Sequence, residues 1–175
     1  VIMNVKRLIG RKYNDEIVQA EISNQEYFIF EEEGYPIVEV DWQGKKVRQS
    51  PHMISSHILK EMKRLAESKY KMEVNECVIS VPARFHQSQK EATEAAAKIA
   101  GLSVLHIVIE PTAAAWAYGT KFLPEKNDQN VLVFDFGGGT LDVSLISITD
   151  SVYDVKATSG NLHLGGEDMD SLLLG

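Results

Sequence analysis

Asp135 and Asp142 bracket three glycines and a threonine in the stretch Val131-Leu132-Val133-Phe134-Asp135-Phe136-Gly137-Gly138-Gly139-Thr140-Leu141-Asp142-Val143-Ser144-Leu145. Successive N–H groups of a glycine turn form an anion-binding concavity. Glycine also lets a ligand come close to the main chain. Phosphate groups with a hydrated divalent cation suit this combination, because the metal reconciles carboxylates with phosphates. The flanking apolar runs have the length and residue types of strands, so the glycines form the turn of a hairpin. No Lys follows the glycines and no helix opens there, which excludes a Walker loop and a dinucleotide fingerprint. Asp135-Phe136-Gly137 spells part of a kinase signature, but no His-Arg-Asp loop stands upstream. The plain alternative is a Gly-rich hairpin without a ligand.

The elements that position this hairpin follow from the rest of the chain. Its 175 residues make one domain or two small ones, and 44% apolar content is enough for a core. Eighteen basic against 25 acidic residues give a net charge of −7, which argues against nucleic acid or an anionic membrane as partner. The single cysteine, Cys77, has no internal disulfide partner and points to a reducing compartment. No apolar run reaches membrane-spanning length, no Asn-x-Ser/Thr site occurs, and the first residues lack a signal-peptide core. The chain begins with Val rather than Met, so an upstream start is expected.

The first 50 residues read as a basic opening, a short helix over 15–22 capped by Asn14, and a small antiparallel sheet. Its strands fall at 26–31, 37–42 and 45–48, with turns at 34–36 and 43–44 and one polar side. Ile54, Ile58, Met62 and Leu65 recur at helical spacing over 51–70. Residues 77–81 and 104–109 are continuous apolar runs of the buried-strand type. Between them lies an Ala-rich helix over 87–100, ended by Gly101. Glu110-Pro111-Thr112 opens a helix that Gly119 ends. Residues 121–130, with Pro124, are the linker candidate. A third strand follows the hairpin over 152–158, and a turn at 165–168 leads into a helix over 169–174. The order predicts an α/β or α+β chain with a mixed sheet.

Five segments together resemble the seventy-kilodalton heat-shock chaperones. They are Lys6-Arg7-Leu8-Ile9-Gly10-Arg11, Ser80-Val81-Pro82-Ala83, Glu110-Pro111-Thr112-Ala113-Ala114-Ala115, Phe134 to Thr140, and His163-Leu164-Gly165-Gly166-Glu167-Asp168. The resemblance runs from about Val5 to the last residue. It implies the actin-like, ribonuclease-H-like ATPase fold, present incompletely as lobe I and the start of lobe II. Residues 1–50 resemble the small outer subdomain of lobe I, 51–124 its inner subdomain, and 125–175 the start of lobe II.

The resemblance also implies roles. Lys6 would face the γ-phosphate and help orient the attacking water. Glu110 would contact the magnesium hydration shell. Asp135 would hold hydrated magnesium or position the nucleophilic water. Gly137, Gly138, Gly139 and Thr140 would wrap the β- and γ-phosphates of ATP or ADP. Asp142 would help bind an alkali cation, K+, beside them. Gly165 and Gly166 resemble the turn near the nucleotide, and Pro82 a relay of nucleotide state. Without the family, Lys6 reads as a solvated lysine, Glu110 as a carboxylate favoured by a helix N-terminus, and Asp142 as a polar strand residue.

The implied parent is a stress-responsive folding chaperone and ATPase in the cytoplasm. Its partners would be client peptides, nucleotide-exchange factors and J-domain co-chaperones. Arg84 stands where the family has Tyr, Lys90 where it has Arg, and His106 and Ile109 where it has an Arg and an Asn that help dock J-domain proteins. An isoleucine cannot supply those hydrogen bonds, and a histidine is mostly neutral at pH 7. Coupling to J-domain proteins is therefore an open question. Trp116 reads as packing. The family's first phosphate loop, the adenosine-holding half of lobe II and the peptide-binding domain are not among these 175 residues. The isolated chain is therefore expected to be inactive. Two other readings compete with a chaperone ATPase fragment: a divergent nucleotide-binding regulatory module without turnover, and an actin-like filament or sugar-kinase relative.

Overall fold

The computed structural model describes residues 2–24, 27–122, 128–150, 152–161 and 164–174. The chain divides into two compact units, Val1–Val78 with Phe85–His106, and Ile79–Arg84 with Ile107–Gly175. The expected linker residue Pro124 and the expected boundary at 124/125 lie outside the described residues, as do Glu26 and His163.

In the first unit a one-turn helix α1 (Val5–Leu8) precedes α2 (Glu16–Asn24). Asp15, not Asn14, caps α2: its Oδ1 accepts the N–H of Ile17 at 2.9 Å. Strands β1 (Phe28–Glu32), β2 (Tyr35–Trp42) and β3 (Lys45–Gln49) form an antiparallel meander. Tyr35 and Pro36, expected in the turn, belong to β2, and Pro36 pairs with Glu31. The inner face buries Ile29 and Val38 with Val5, Leu8, Val18 and Ile54. The outer face is not simply polar. It exposes Phe28 and Phe30, each with a cation over its ring, Lys46 on Phe28 and Arg48 on Phe30.

Helix α3 (Pro51–Tyr70) has the predicted bounds. Ile54 is buried on it, whereas Ile58, Met62 and Leu65 stay exposed. Helix α4 (Gln87–Ile99) packs against α3. It ends as expected: Gly101 takes φ 75°, and the N–H of Leu102 reaches back to Ala97 at 2.9 Å. Strand β4 (Glu76–Val81) pairs with β5 (Ser103–Ile109). Neither is buried along its length. Val78 and Leu105 are exposed, because a two-stranded sheet leaves surfaces that neighbouring strands would cover.

In the second unit, strands β6 (Gln129–Phe136), β7 (Leu141–Thr149) and β8 (Val152–Asn161) form an antiparallel sheet in sequence order. A register shift opposite Leu145 and Ile146 marks a bulge in the β7–β8 ladder. Helix α5 (Glu110–Phe122) covers one face, with Ala115 packed among Ile146, Ile148, Val131 and Val133. Gly119 does not end α5. It is buried inside the helix, where a Cβ would collide with the hydroxyl of Tyr153. Trp116 is 59% exposed, so the expectation that it packs fails: it lies on the side of α5 turned from the sheet. Helix α6 (Gly166–Leu174) starts three residues earlier than expected and closes the unit.

Candidate functional site

The glycine turn sits where local chemistry dictates. Phe136 pairs with Leu141, so residues 137–140 span the hairpin tip, and the Gly137 N–H donates to the Thr140 carbonyl at 3.0 Å. The tip is bonded to α6. The N–H groups of Gly166 and Glu167 donate to the carbonyls of Gly137 at 2.9 Å and Gly138 at 2.8 Å. Three loop carbonyls are therefore engaged, and a carbonyl so engaged no longer presents a bare negative end to an incoming anion. Asp168 completes the start of α6 by accepting the Gly165 N–H on Oδ2 at 2.8 Å. A Cβ on Gly165 would overlap the Gly138 carbonyl, so only glycine lets these two strands of backbone touch. Gly137, Gly138, Gly165 and Gly166 thus form one backbone cluster.

The carboxylates stand at the mouth of this turn. Asp135 and Asp142 are direct register partners on one face of the hairpin. Asp142 is only 4% exposed, and Asp135 is half-buried. Two like charges directly opposite each other destabilise a strand pair. A bound cation removes that penalty. Glu110 is the first residue of α5, the helix that packs on the same sheet through Ala115 against Ile146 and through Gly119 against Tyr153.

Two polar groups here escaped the sequence reading. Ser144, two residues beyond Asp142 on the same face, is fully buried, and its hydroxyl meets no partner among the described residues. Glu167 extends its side chain to Gly138, and its buried Oε2 also has no partner. An unmet buried oxygen costs on the order of 1–3 kcal/mol. Ser144 adds a hydroxyl to the strand face that carries Asp142, and the carboxylate pair itself is of the oxygen-donor type that suits a hydrated hard cation. Among the described residues no three His, Cys, Asp or Glu side chains converge closely enough to ligate a metal directly. The only sequence signal for Ser144 was its even spacing from Asp142.

Lys6 lies on α1 in the first unit, and His106 and Ile109 lie on β5. Pro82 is fully buried after β4. Arg84 has a structural partner: its Nη1 donates to the carbonyl of Gly160 at 2.9 Å, and Gly160 is the β8 register partner of Asp142. Glu39 is held below the usual carboxylate range by hydrogen bonds from Arg48 and Lys46. Burial pushes the Cys77 thiol up, which makes it a poor nucleophile.

A mixed α/β chain with a glycine hairpin, paired aspartates and a helix docked on the turn defines the class. Comparison with known families places it further. The Hsp70 protein family matches residues 1–175, and the chain belongs to that family. It is 47% identical over 173 residues to a ribosome-associated molecular chaperone of Eremothecium gossypii, covering 99% of this chain and 28% of that protein. It is 48% identical over 175 residues to a heat shock cognate HSP70 protein of Trypanosoma brucei brucei, covering 26% of it. A heat shock 70 kDa protein of Emericella nidulans is 47% identical over 173 residues. The chain thus spans little more than a quarter of the relatives it matches. No helix among the described residues is long and apolar enough to cross a membrane.

Proposed function

We propose that residues 1–175 are part of the ATPase domain of a cytoplasmic folding chaperone, and that the β6–β7 hairpin holds the β- and γ-phosphates of ATP. The observation that carries this reading is the docked turn: three engaged loop carbonyls, a neighbouring helix start, and Asp135 opposite Asp142. Family membership supports the chemistry. In this reading the fold is actin-like, with residues 1–50, 51–124 and 125–175 as parts of its subdomains.

The residues divide the work as follows. Gly137, Gly138, Gly139 and Thr140 cradle phosphate oxygens through the main chain. Asp135, Asp142 and Glu110 hold Mg2+ and K+, mostly through water, and orient the water that attacks the γ-phosphate in line. Magnesium held there would supply charge neutralisation for the phosphate oxygens. Lys6 supplies a further positive charge where negative charge develops in the transition state. Gly165 and Gly166 keep the turn in place. Positioning and charge neutralisation account for most of the rate enhancement in such phosphoryl transfers. Client peptides, exchange factors and J-domain proteins are the partners of the complete chaperone.

Calorimetric titration tests the binding half of this reading. Mg·ADP is expected to bind the complete protein, and Asp135→Asn is expected to weaken it about tenfold or more, the loss of one charge-assisted contact. Equal affinity in the variant contradicts the assignment. A J-domain protein added to single-turnover hydrolysis separates the readings further. Stimulation means that His106 and Ile109 do not prevent coupling. Binding without any hydrolysis favours the regulatory module.

A further inference from the structure

Strand β1 is an open edge. Among the described residues it pairs with β2 alone, over Phe28 to Glu32. The turn between the two strands fixes which way its main-chain groups point. Glu33 and Gly34 take φ 52° and 80°, the positive values of a type I′ two-residue turn. Such a turn closes on a hydrogen-bonded pair, here Glu32 with Tyr35. Hydrogen-bonded and non-hydrogen-bonded pairs alternate along the ladder, so Glu31 with Pro36 and Ile29 with Val38 are non-hydrogen-bonded. Pro36 agrees, because it has no N–H to give β1. The N–H and C=O of Ile29 and Glu31 therefore point away from β2, toward the open edge.

The outer face, by contrast, is served from within the unit. Lys46 lies over the Phe28 ring, Arg48 over Phe30 and Lys12 over Tyr35. The buried Glu39 accepts from Lys46 on one oxygen and from Arg48 on the other. The two edges of the sheet also differ. β3 carries Lys45, Lys46 and Arg48, charges of the kind that keep strands from pairing edge to edge. β1 carries Phe28, Ile29 and Phe30 with no Lys or Pro, and its charges, Glu31 and Glu32, lie at one end. What the unit leaves open is the β1 main chain.

Register and charge together choose the occupant. A second β1 running antiparallel meets the outward groups when Ile29 of each copy stands opposite Glu31 of the other. Phe30 then faces Phe30 across a two-fold axis. Glu32 of one copy stands beside Phe28 of the other, the ring on which Lys46 rests. The acidic end of each strand thus meets the basic end of its mate, the self-complementarity that an isologous contact requires. Other registers lose this. Glu31 opposite Glu31 sets like charges against each other, and Ile29 opposite Ile29 carries Glu32 past Phe28. We propose that β1 is a self-association edge, at which two copies of this chain pair antiparallel about Phe30 into one continuous sheet. Nothing in this assignment depends on nucleotide binding.

Sedimentation of the complete protein over a range of concentrations tests it, together with cysteine cross-linking in a Cys77→Ser background. The mean mass is expected to rise with concentration toward that of a dimer. Phe30→Lys removes the aromatic pair and places like charges on the axis, and should raise the dimer dissociation constant about tenfold or more. Residues facing each other in a non-hydrogen-bonded pair have Cα atoms about 4.5 Å apart, within disulfide reach. Phe30→Cys should therefore link to its own copy under mild oxidation. Phe28→Cys mixed with Glu32→Cys should link across the two variants faster than either links to itself, and Lys45→Cys on β3 should stay unlinked. A monomer at every concentration, undiminished association of Phe30→Lys, a Phe30→Cys chain that stays unlinked, or linking of Lys45→Cys as fast as Phe30→Cys overturns the proposal.

Discussion

Asp135 and Asp142 oppose each other across the β6–β7 ladder, and that pairing sets the energetics of the site at the level of single residues. Like charges in register cost roughly 0.2–1 kcal/mol. Asp135→Asn is therefore expected to raise the stability of the cation-free protein by an amount in that range, and to remove the stabilisation that Mg2+ gives the original. Urea unfolding with and without Mg2+ checks both effects. A loss of stability in the cation-free variant contradicts the account. Glu39 behaves oppositely. Its folded value lies below the ordinary 4.5, through Arg48 first and Lys46 second. A depressed carboxylate contributes stability that is present above the ordinary value of 4.5 and is lost as pH falls through its folded value. Glu39→Gln should therefore flatten the acid side of the stability profile and leave stability less pH-dependent below 4.5. Unfolding midpoints measured from about pH 7 downward show whether it does.

At the scale of elements, α6 is held to the glycine turn by backbone alone. Gly165→Ala places a methyl group against the Gly138 carbonyl, an overpacking that costs about 1–3 kcal/mol. Hydrogen exchange is expected to speed up at the amides of Gly166 and Glu167 in this variant, and unchanged protection there contradicts the docking. Gly119→Ala meets the Tyr153 hydroxyl in the same way, so removing that hydroxyl with Tyr153→Phe should recover part of the loss. These contacts also mark where the amino-acid sequence stops being informative. The bounds of α3 are legible because Pro51 and a 3.6-residue apolar period are local signals. The hairpin is legible because turn chemistry is local too. Gly119 misleads as a helix stop because its reason is a distant tyrosine. β4 and β5 mislead as buried strands because an apolar run does not reveal how many strands will flank it. The docking of Gly165 on Gly138 and the buried hydroxyl of Ser144 depend on segments that meet only in the folded chain.

At the scale of the whole molecule, the exposed apolar faces are the main physical fact. Leu132, Phe134 and Phe136 line the outer side of β6, and Leu172, Leu173 and Leu174 stand exposed on α6. Contiguous apolar surface of this kind marks contact with further protein. Residues 1–175 alone should bind a hydrophobic dye strongly, whereas a protein extended to the length of its relatives should not; equal dye binding by both contradicts this. The net charge of −7 is compatible with the proposed function, in which phosphate would meet backbone amides and cations rather than a basic surface.

Single-turnover hydrolysis of ATP with Mg2+ and K+, compared between the complete protein, its Lys6→Ala and Asp135→Asn variants, and residues 1–175 alone, tests the central claim most directly. Hydrolysis by the complete protein, slowed about a hundredfold or more in each variant and near background in residues 1–175, is the predicted result. Turnover unaffected by either substitution contradicts the account.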